Sequence, residues 1–520
     1  IIIGIIAKPE LPELLRWSFF YLFLFSIGYS VGPQFFGSLK KQALPQIVVS
    51  VVLAVTGLVT VIVLSVLFNF DEGIAVGLLS GGMTQSAALG TGLNAIAELP
   101  IPDDVKAKIS AHAPLADAIT YGFGDLGLIL FLTWLGPLIM RADLRRAAKE
   151  LESELGGSTA GQTLGGTHFA FRVHRIKNAA NAGATVAEFE TRYAEGRLSV
   201  QRVKRADDVL EPRPGLELRQ GDLVVIGAWV ALLSRVEREI GPEENHPDLL
   251  AIPLKTVSVV VTSKEVHGRT IAELGKRDIA RGVYLESLQR GEELMPHEPW
   301  TVIERGDVLR LVGAPKDVDR AAAAAGFVER DLARTDLGFL AAGICVGIAF
   351  GMFKVMVGDV AFGLGTSGSI LVVGLVAGWA RSRYPVFGAI PVAAQRLLMD
   401  IGLIVFIAVI GLHAGPHAVE AYHQSGGAFF GRILVAGMVV TLVPLAAGLI
   451  VARYVFGMNP MMVVGSIAGA QTCTPGLNAL REASGSNIGA LAYTVPYALN
   501  NILLTIWGPV VVGILYAIRN

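Results

Sequence analysis

Two short polar motifs, each flanked by long apolar segments, carry the side chains of this chain that are best suited to bind a small solute. Their hydroxyl and amide groups donate hydrogen bonds, which a carboxylate ligand requires. Irregular polar backbone within a membrane is costly unless it lines a cavity or is buried in protein. Two such segments at matching places in two halves indicate a binding site at a repeat interface. The motifs read Gly81-Gly82-Met83-Thr84-Gln85-Ser86 and Gly469-Ala470-Gln471-Thr472-Cys473-Thr474-Pro475.

Polar residues that follow each motif are predicted to line the same cavity. A helix that begins directly after a motif would add unpaired N–H groups and a favourable dipole for an anion. The alternative is that the small residues of the motifs only let membrane helices pack closely. The predicted substrate-binding set is Gly82, Thr84, Gln85, Ser86, Asn94, Gln471, Thr472, Cys473, Thr474, Pro475, Asn478, Tyr493, Asn500 and Asn501.

Three charged residues in apolar segments are candidates for a coupling ion or a substrate charge. Asp125 stands near Tyr121 after the first motif, and an ionisable residue at membrane depth is a functional hypothesis. The alternative places Asp125 at an interface or bonded to backbone. Arg396 and Asp400 are four residues apart and share a helix face. We interpret them as an interfacial pair, with Arg396 as a substrate-carboxylate anchor as the alternative.

The pattern predicts no metal or cofactor. His413, His417 and His423 fall in a predicted outer loop, and their spacing resembles a metal-ligand set only loosely. No Gly-x-Gly-x-x-Gly run follows a strand, so we do not predict a bound dinucleotide. Cys345 and Cys473 lie in separate apolar segments and form no disulfide framework.

Composition identifies an integral membrane protein. The 520 residues are 52% hydrophobic and only 17% charged, whereas soluble domains carry about 25% charge. Several apolar runs approach the ~20 residues that cross a bilayer. The net charge of −1 argues against a nucleic-acid partner.

Three blocks follow one another along the chain: residues 1–141 and 336–520 are membrane-like, and residues 142–335 resemble a soluble protein. The first and last blocks are also similar to each other, since Ile27-Gly28-Tyr29 to Pro33 matches Ile410-Gly411-Leu412 to Pro416 ahead of each motif. Beyond the motifs, Tyr121 matches Tyr493. The predicted spans are 17–36, 45–70, 116–140, 337–357, 361–380, 397–415, 428–456 and 486–516, with motif regions at 73–97 and 459–480.

The repeat predicts a polytopic α-helical membrane protein with two five-helix copies. An odd number of spans inverts the second copy, so the broken or re-entrant motifs would enter from opposite faces. The first block lacks counterparts of the span 337–357 and of most of the span 361–380, and we expect one helix and part of another upstream of Ile1. Basic residues after the first block place the middle block in the cytoplasm by the positive-inside rule: Arg141, Arg145, Arg146 and Lys149.

The middle block is predicted to contain two α+β domains, residues 156–241 and 250–328. The stretch from Gly183 to Phe189 matches that from Gly268 to Leu274, and Gly221-Asp222 matches Gly306-Asp307. A Gly-Asp pair before an apolar strand suits a tight turn.

Together these motifs resemble the aspartate–alanine exchanger family of bacterial secondary transporters, and the two central copies resemble the TrkA-C (regulator of potassium conductance C-terminal) domain. The resemblance implies exchange of small carboxylates or amino acids, such as aspartate for alanine, or export of succinate. It also implies the bacterial inner membrane, the lipid bilayer as partner and a homodimer. Ala87 departs from the pattern by standing where the second motif has Pro475.

Two other function classes fit the sequence less well. A cation channel or transporter gated by its cytoplasmic domains is the alternative, although the Thr-Val-Gly-Tyr-Gly run of a potassium filter is absent from the sequence. A membrane enzyme has little support, because the apolar blocks contain no nucleophile–base or metal-ligand signature.

Overall fold

A computed structural model describes most of the chain, and its contacts divide it into two compact units. The membrane unit comprises Ile1–Glu152, Arg290–Pro296 and Leu332–Asn520, and the central unit comprises Ser153–Gln289 and His297–Asp331. The predicted domain start at 156 lies outside the described residues. The structure describes residues 2–7, 11–38, 43–155, 169–178, 181–193, 198–229, 233, 239–291, 293–329, 335–353, 355–357, 360–362, 365–384, 388 and 390–519.

The first part of the membrane unit is helical, and its fourth and fifth helices are separated by the first polar motif. A five-residue π-helix, Phe131–Leu135, interrupts the long helix that follows them. The helices are α1 (Ile2–Ala7), α2 (Glu13–Ser38), α3 (Leu44–Leu67), α4 (Glu72–Gly82), α5 (Ser86–Ala97), α6 (Asp103–Leu130), α7 (Gly136–Met140) and α8 (Leu144–Glu154).

Two small α+β domains follow. The first has the sheet order β1-β4-β2-β3 and the second has the order β7-β6-β8-β5-β9. Their elements are β1 (Phe169–Arg175), α9 (Val186–Arg192), β2 (Ser199–Arg205), β3 (Asp208–Leu210), β4 (Leu223–Trp229), α10 (Pro247–Leu250), β5 (Lys255–Val261), α11 (Ile271–Gly275), β6 (Val283–Arg290), β7 (Glu293–Met295), β8 (Val308–Gly313), α12 (Pro315–Ala325) and β9 (Gly326–Glu329).

The two domains share local chemistry as well as strand order. Thr185 caps α9 and Thr270 caps α11, each in a reciprocal capping box with the glutamate three residues later. The domains also pack on each other within the central unit, where the Ser199 and Tyr284 hydroxyls lie 3.0 Å apart. The internal repeat predicted for this block is therefore visible in its topology.

The second part of the membrane unit is again mainly helical. Its longest helix bends at Gly426, where the backbone leaves the helical conformation with φ of 70°, and ends in a π-helix, Val451–Val455. The elements are α13 (Leu337–Gly351), β10 (Val355–Val357), β11 (Val360–Phe362), α14 (Gly365–Arg383), α15 (Val392–Ile450), α16 (Pro460–Ala470), α17 (Thr474–Ser484) and α18 (Ala490–Arg519).

Six helices among the described residues are long and apolar enough to cross a membrane. Two local predictions are wrong. The span predicted at 337–357 ends as a helix at Gly351 and continues into the short β10–β11 pair. The loop predicted around the three histidines is helical, and the ring of His413 bonds the carbonyl of Val409 one turn earlier, at 2.8 Å. Polar residues on an exposed face of this helix give the segment a composition like that of a loop, which explains the wrong prediction.

Glycines let the short helices before the motifs pack directly on the long helices after them. A Cβ added to Gly77 would lie 2.2 Å from the Ala113 carbonyl oxygen, and one added to Gly465 would lie 2.4 Å from the Gly489 carbonyl oxygen. Because backbone meets backbone here, neither contact tolerates a side chain. This close approach fixes α4 against α6 and α16 against α18.

We predict that Gly465→Val destabilises the folded membrane unit. Overpacking of this kind costs about 1–3 kcal/mol or more, so the detergent-solubilised variant should melt several degrees lower in thermal-shift size-exclusion chromatography. Gly513→Val is the matched control on α18, because nothing lies within 4 Å of its added Cβ. Equal melting temperatures for both variants would contradict the packing argument.

Candidate functional site

Each polar motif is a break between two helices with the same internal geometry. Both α4 and α16 have 11 residues, and each is followed by three non-helical residues. The middle residue of each break is a threonine in the left-handed region, with φ of 52° at Thr84 and 54° at Thr472. That conformation is unfavourable for a β-branched residue. Its recurrence at equivalent positions marks backbone strain of the kind that collects at functional sites.

The two breaks touch each other. The Thr84 hydroxyl donates to the backbone carbonyl of Gln471 at 2.6 Å, and the Gln471 amide approaches the Met83 sulfur at 3.9 Å. Thr441 of α15 donates to the carbonyl of Gly82 at 2.9 Å. The residues predicted from widely separated parts of the sequence thus form one buried cluster.

Side chains from each break also bond to the long helix of the other half. Gln85 donates to the Asn501 side chain at 3.4 Å, and the Cys473 thiol donates to Asp125 at 3.3 Å. Gln85 and Cys473 occupy the same place in their breaks, directly after the left-handed threonine. The two contacts are therefore equivalent. We call them crossed, because each joins the break of one half to the long helix of the other half.

The packing corrects the repeat register beyond the motifs. A Cβ added to Gly81 would lie 2.7 Å from the Asp117 carbonyl oxygen, and one added to Gly469 would lie 2.2 Å from that of Tyr493. Asp117 is thus the counterpart of Tyr493, which the sequence had matched to Tyr121. By the same register, the counterpart of Asp125 is Asn501. The error is one helical turn, which leaves every residue on the same face and so escapes a periodicity argument.

Three polar atoms in this cluster are buried without a hydrogen-bond partner among the described residues: Oε1 of Gln471, Oγ1 of Thr472 and Oδ1 of Asn500. The Asn500 amide nitrogen is fixed by the carbonyl of Ala470 at 2.6 Å, so the orientation of that side chain is set. A buried polar group without a partner costs about 1–3 kcal/mol. Such groups call for a specific explanation, which a polar ligand that binds here would supply.

The remaining residues of the second break pack around the cluster. The hydroxyls of Thr474 and Tyr493 are 3.2 Å apart, and Tyr493 stacks on Tyr497 with ring centroids 5.2 Å apart. The Cys473 sulfur also accepts the Gly476 N–H as the N-cap of α17. In contrast, Pro475 is exposed.

The first break provides two more of the predicted residues. Ser86 is the first residue of α5, where its hydroxyl bonds Tyr121. Gly82 contributes its backbone, since an added Cβ would lie 2.7 Å from a methyl group of Val440. Both residues therefore belong to the cluster.

Some predicted residues are placed differently. Asn94 is half-buried near the end of α5, and Asn478 is exposed and bonds Arg481 at 2.9 Å. Arg396 and Asp400 are both exposed at the start of α15. The structure groups none of these with the three unpartnered atoms. In the described part of the chain, no set of three or more His, Cys, Asp or Glu side chains is arranged to hold a metal.

Sequence reasoning missed Asp117. This carboxylate is 8% exposed and accepts a hydrogen bond from Ser80 at 2.7 Å. It precedes Tyr121 and Asp125 by one and two helical turns, so the polar stripe on α6 could have revealed it.

Comparison with known proteins gives a consistent picture. A family model described as a predicted permease membrane region (Asp-Al_Ex) matches residues 1–137 and 339–513. A TrkA-C domain model matches residues 256–326, which is the second central domain and not the first. No solved structure matches the chain.

Relatives cover nearly the whole chain. An uncharacterized transporter of Bordetella parapertussis is 48% identical over 98% of this chain and 90% of its own length. Uncharacterized transporters of Bradyrhizobium diazoefficiens and Shewanella oneidensis are 37% and 34% identical, over 99% and 96% of this chain and 91% and 89% of their own lengths.

The contact between the two breaks generates a stability prediction. Thr84→Val keeps the shape of the side chain and removes its hydrogen bond to Gln471, which should lower the free energy of unfolding by about 1–3 kcal/mol. Thr84→Ser retains the hydroxyl and serves as the control. Thermal unfolding in detergent should therefore show a lower melting temperature for the valine variant alone, and a valine variant as stable as wild type would disprove the role of this bond.

Proposed function

Because this chain belongs to the aspartate–alanine exchanger family of membrane permeases, we propose that it is a secondary transporter that exchanges small carboxylates or amino acids. Transport proceeds by alternating access, in which one set of helices moves against the other around a central site. The substrate binds where the two breaks meet. The transporter names of the relatives support the class of protein.

The three unpartnered polar atoms between the breaks are the observation that carries this proposal. Strained polar backbone, buried among long apolar helices, is tolerated within a membrane where it lines a binding cavity. All three atoms belong to the second half of the membrane unit. The first break reaches them through the hydrogen bond from Thr84 to the carbonyl of Gln471. A solute at this point would touch both breaks at once.

The chemistry of the cluster favours a zwitterionic amino acid within this substrate class. The free atoms of Gln471 and Asn500 are carbonyl oxygens, which accept hydrogen bonds. The half-buried Asp125 adds a carboxylate that pairs with no cation among the described residues. These three groups suit a substrate ammonium. The Thr472 hydroxyl and the N–H groups at the start of α5 and α17 suit its carboxylate.

The wider organisation belongs to the same proposal. The two parts of the membrane unit are inverted copies, and their breaks are re-entrant from opposite sides. Both central domains are TrkA-C-like, supported by their common strand order, and face the cytoplasm. The protein acts as a homodimer in the bacterial inner membrane.

We predict that Gln471→Ala and Thr472→Val each slow exchange about tenfold, since one hydrogen bond of about 1.4 kcal/mol corresponds to that factor. The measurement is uptake of labelled aspartate or succinate by proteoliposomes loaded with unlabelled counter-substrate. Thr60→Val is the matched control, because the Thr60 hydroxyl donates within its own helix, to the carbonyl of Thr56 at 2.7 Å. Wild-type protein that exchanges none of aspartate, alanine and succinate would reject the proposed function.

A separate prediction tests the ammonium assignment. Asp125→Asn should reduce exchange of aspartate and alanine by at least about tenfold, while succinate exchange changes much less because succinate has no ammonium group. The comparison is the ratio of initial counterflow rates for the three substrates in wild-type and variant proteoliposomes. An equal loss for succinate would show that Asp125 does not recognise an ammonium.

A further inference from the structure

Asp117 is a buried carboxylate that the proposed substrate site does not use. It lies on α6 and is 8% exposed, and its one hydrogen-bond donor among the described side chains is Ser80 of α4, at 2.7 Å. An isolated charge inside a membrane protein is costly, and such residues line ion pathways or act in proton relays. Its counterpart in the second half is Tyr493, so the two halves differ at this place.

Asp117 also borders a cavity of about 370 Å³. The cavity lies between α1, α5, α6 and α15, and all of its other described lining side chains are apolar or glycine. Asp117 is the one charged residue among them. Its described neighbours in the wall include Ile3, Leu89, Pro114, Ile407 and Leu412.

The titratable groups near Asp117 are few in the described chain. Tyr121, one turn later on α6, interacts electrostatically with Asp117. His112, five residues earlier on α6, pairs with Asp71, the N-cap of α4, at 2.5 Å. The acidic residue of α4, Glu72, pairs with Arg519 at 2.9 Å. On α15, His413 adjoins the lining residue Leu412, but its ring bonds the carbonyl of Val409. Neither α1 nor α5 contains a titratable residue.

We propose that Asp117 binds and releases a proton at this cavity and thereby couples transport to the proton gradient. This inference rests on the proposed transport function. A proton suits the site better than a metal cation, because hard cations such as Ca²⁺ and Mg²⁺ take about six or more oxygen ligands. Among the described residues, the cavity wall offers a single carboxylate for that purpose.

The hydrogen bond with Ser80 links the protonation state of Asp117 to the substrate site. Ser80 lies one helical turn before Thr84 on the helix that leads into the first break. A hydrogen bond to an ionised carboxylate is about twice as strong as one to a neutral partner. Protonation therefore weakens this hydrogen bond between α6 and α4. The neutral acid also costs less free energy in apolar surroundings than the ion does.

The protonation step is measured independently of transport. Infrared difference spectra of the reconstituted full chain, recorded as pH is changed, should contain the carbonyl stretch of a protonated carboxylic acid. The component of this band that belongs to Asp117 should be lost in Asp117→Asn, persist in Asp125→Asn and shift in Ser80→Ala, which keeps the carboxylate and removes its donor. Identical spectra for wild type and Asp117→Asn would overturn the proposal.

Coupling is measured in proteoliposomes containing a trapped pH dye, with labelled aspartate, alanine and succinate as probes. When one proton accompanies the labelled substrate and none accompanies the counter-substrate, a pH difference of one unit supports about tenfold accumulation of label on the alkaline side. Asp117→Asn should lose this accumulation while counterflow at equal pH stays within about twofold of wild type.

Wild-type accumulation that ignores the pH difference, or that follows a sodium gradient instead, would overturn proton coupling. An Asp117→Asn variant that still accumulates substrate would do the same. Absence of counterflow for every substrate at equal pH would instead reject the proposed function, and the infrared spectra would still decide whether Asp117 binds a proton.

Discussion

The hydrogen bond from Thr84 to the Gln471 carbonyl is the interaction on which the arrangement of the membrane unit depends. It joins two helix breaks whose backbone groups have lost their helical partners and cannot turn to water inside an apolar bundle. Thr441 satisfies another such group at Gly82, and Asn500 a third at Ala470. Each break is thus completed by residues distant in sequence, so neither is stable by itself.

The crossed contacts make the two halves mutually dependent. Gln85 reaches Asn501, and Cys473 reaches Asp125. A movement that displaces one long helix must disturb the break of the opposite half, which is a physical basis for concerted motion. Their unequal chemistry, an amide pair on one side and a thiol–carboxylate pair on the other, gives the two contacts different strengths.

Much of this organisation was predictable from sequence, because hydrophobic runs identify spans and repeated Gly and Thr residues identify the breaks. In the structure, each predicted motif region contains two helices, which are separated at Thr84 in the first region and at Thr472 in the second. The register between α6 and α18 was not predictable from sequence. The sequence match was wrong by one helical turn, so it did not reveal that Asp117 and Tyr493 are equivalent. The exposed positions of Arg396 and Asp400 likewise depend on how α15 packs, which residue spacing does not determine.

The equal lengths of α4 and α16 have a consequence for depth. Eleven residues of helix rise about 16 Å, roughly half of the ~30 Å hydrocarbon thickness. Polar residues mark both beginnings, with Asp71 capping one helix and Asn459 the other. If each helix starts at a membrane surface, as the proposed inverted arrangement requires, each helix ends at the bilayer midplane. The common length of α4 and α16 then places a substrate equally far from both compartments.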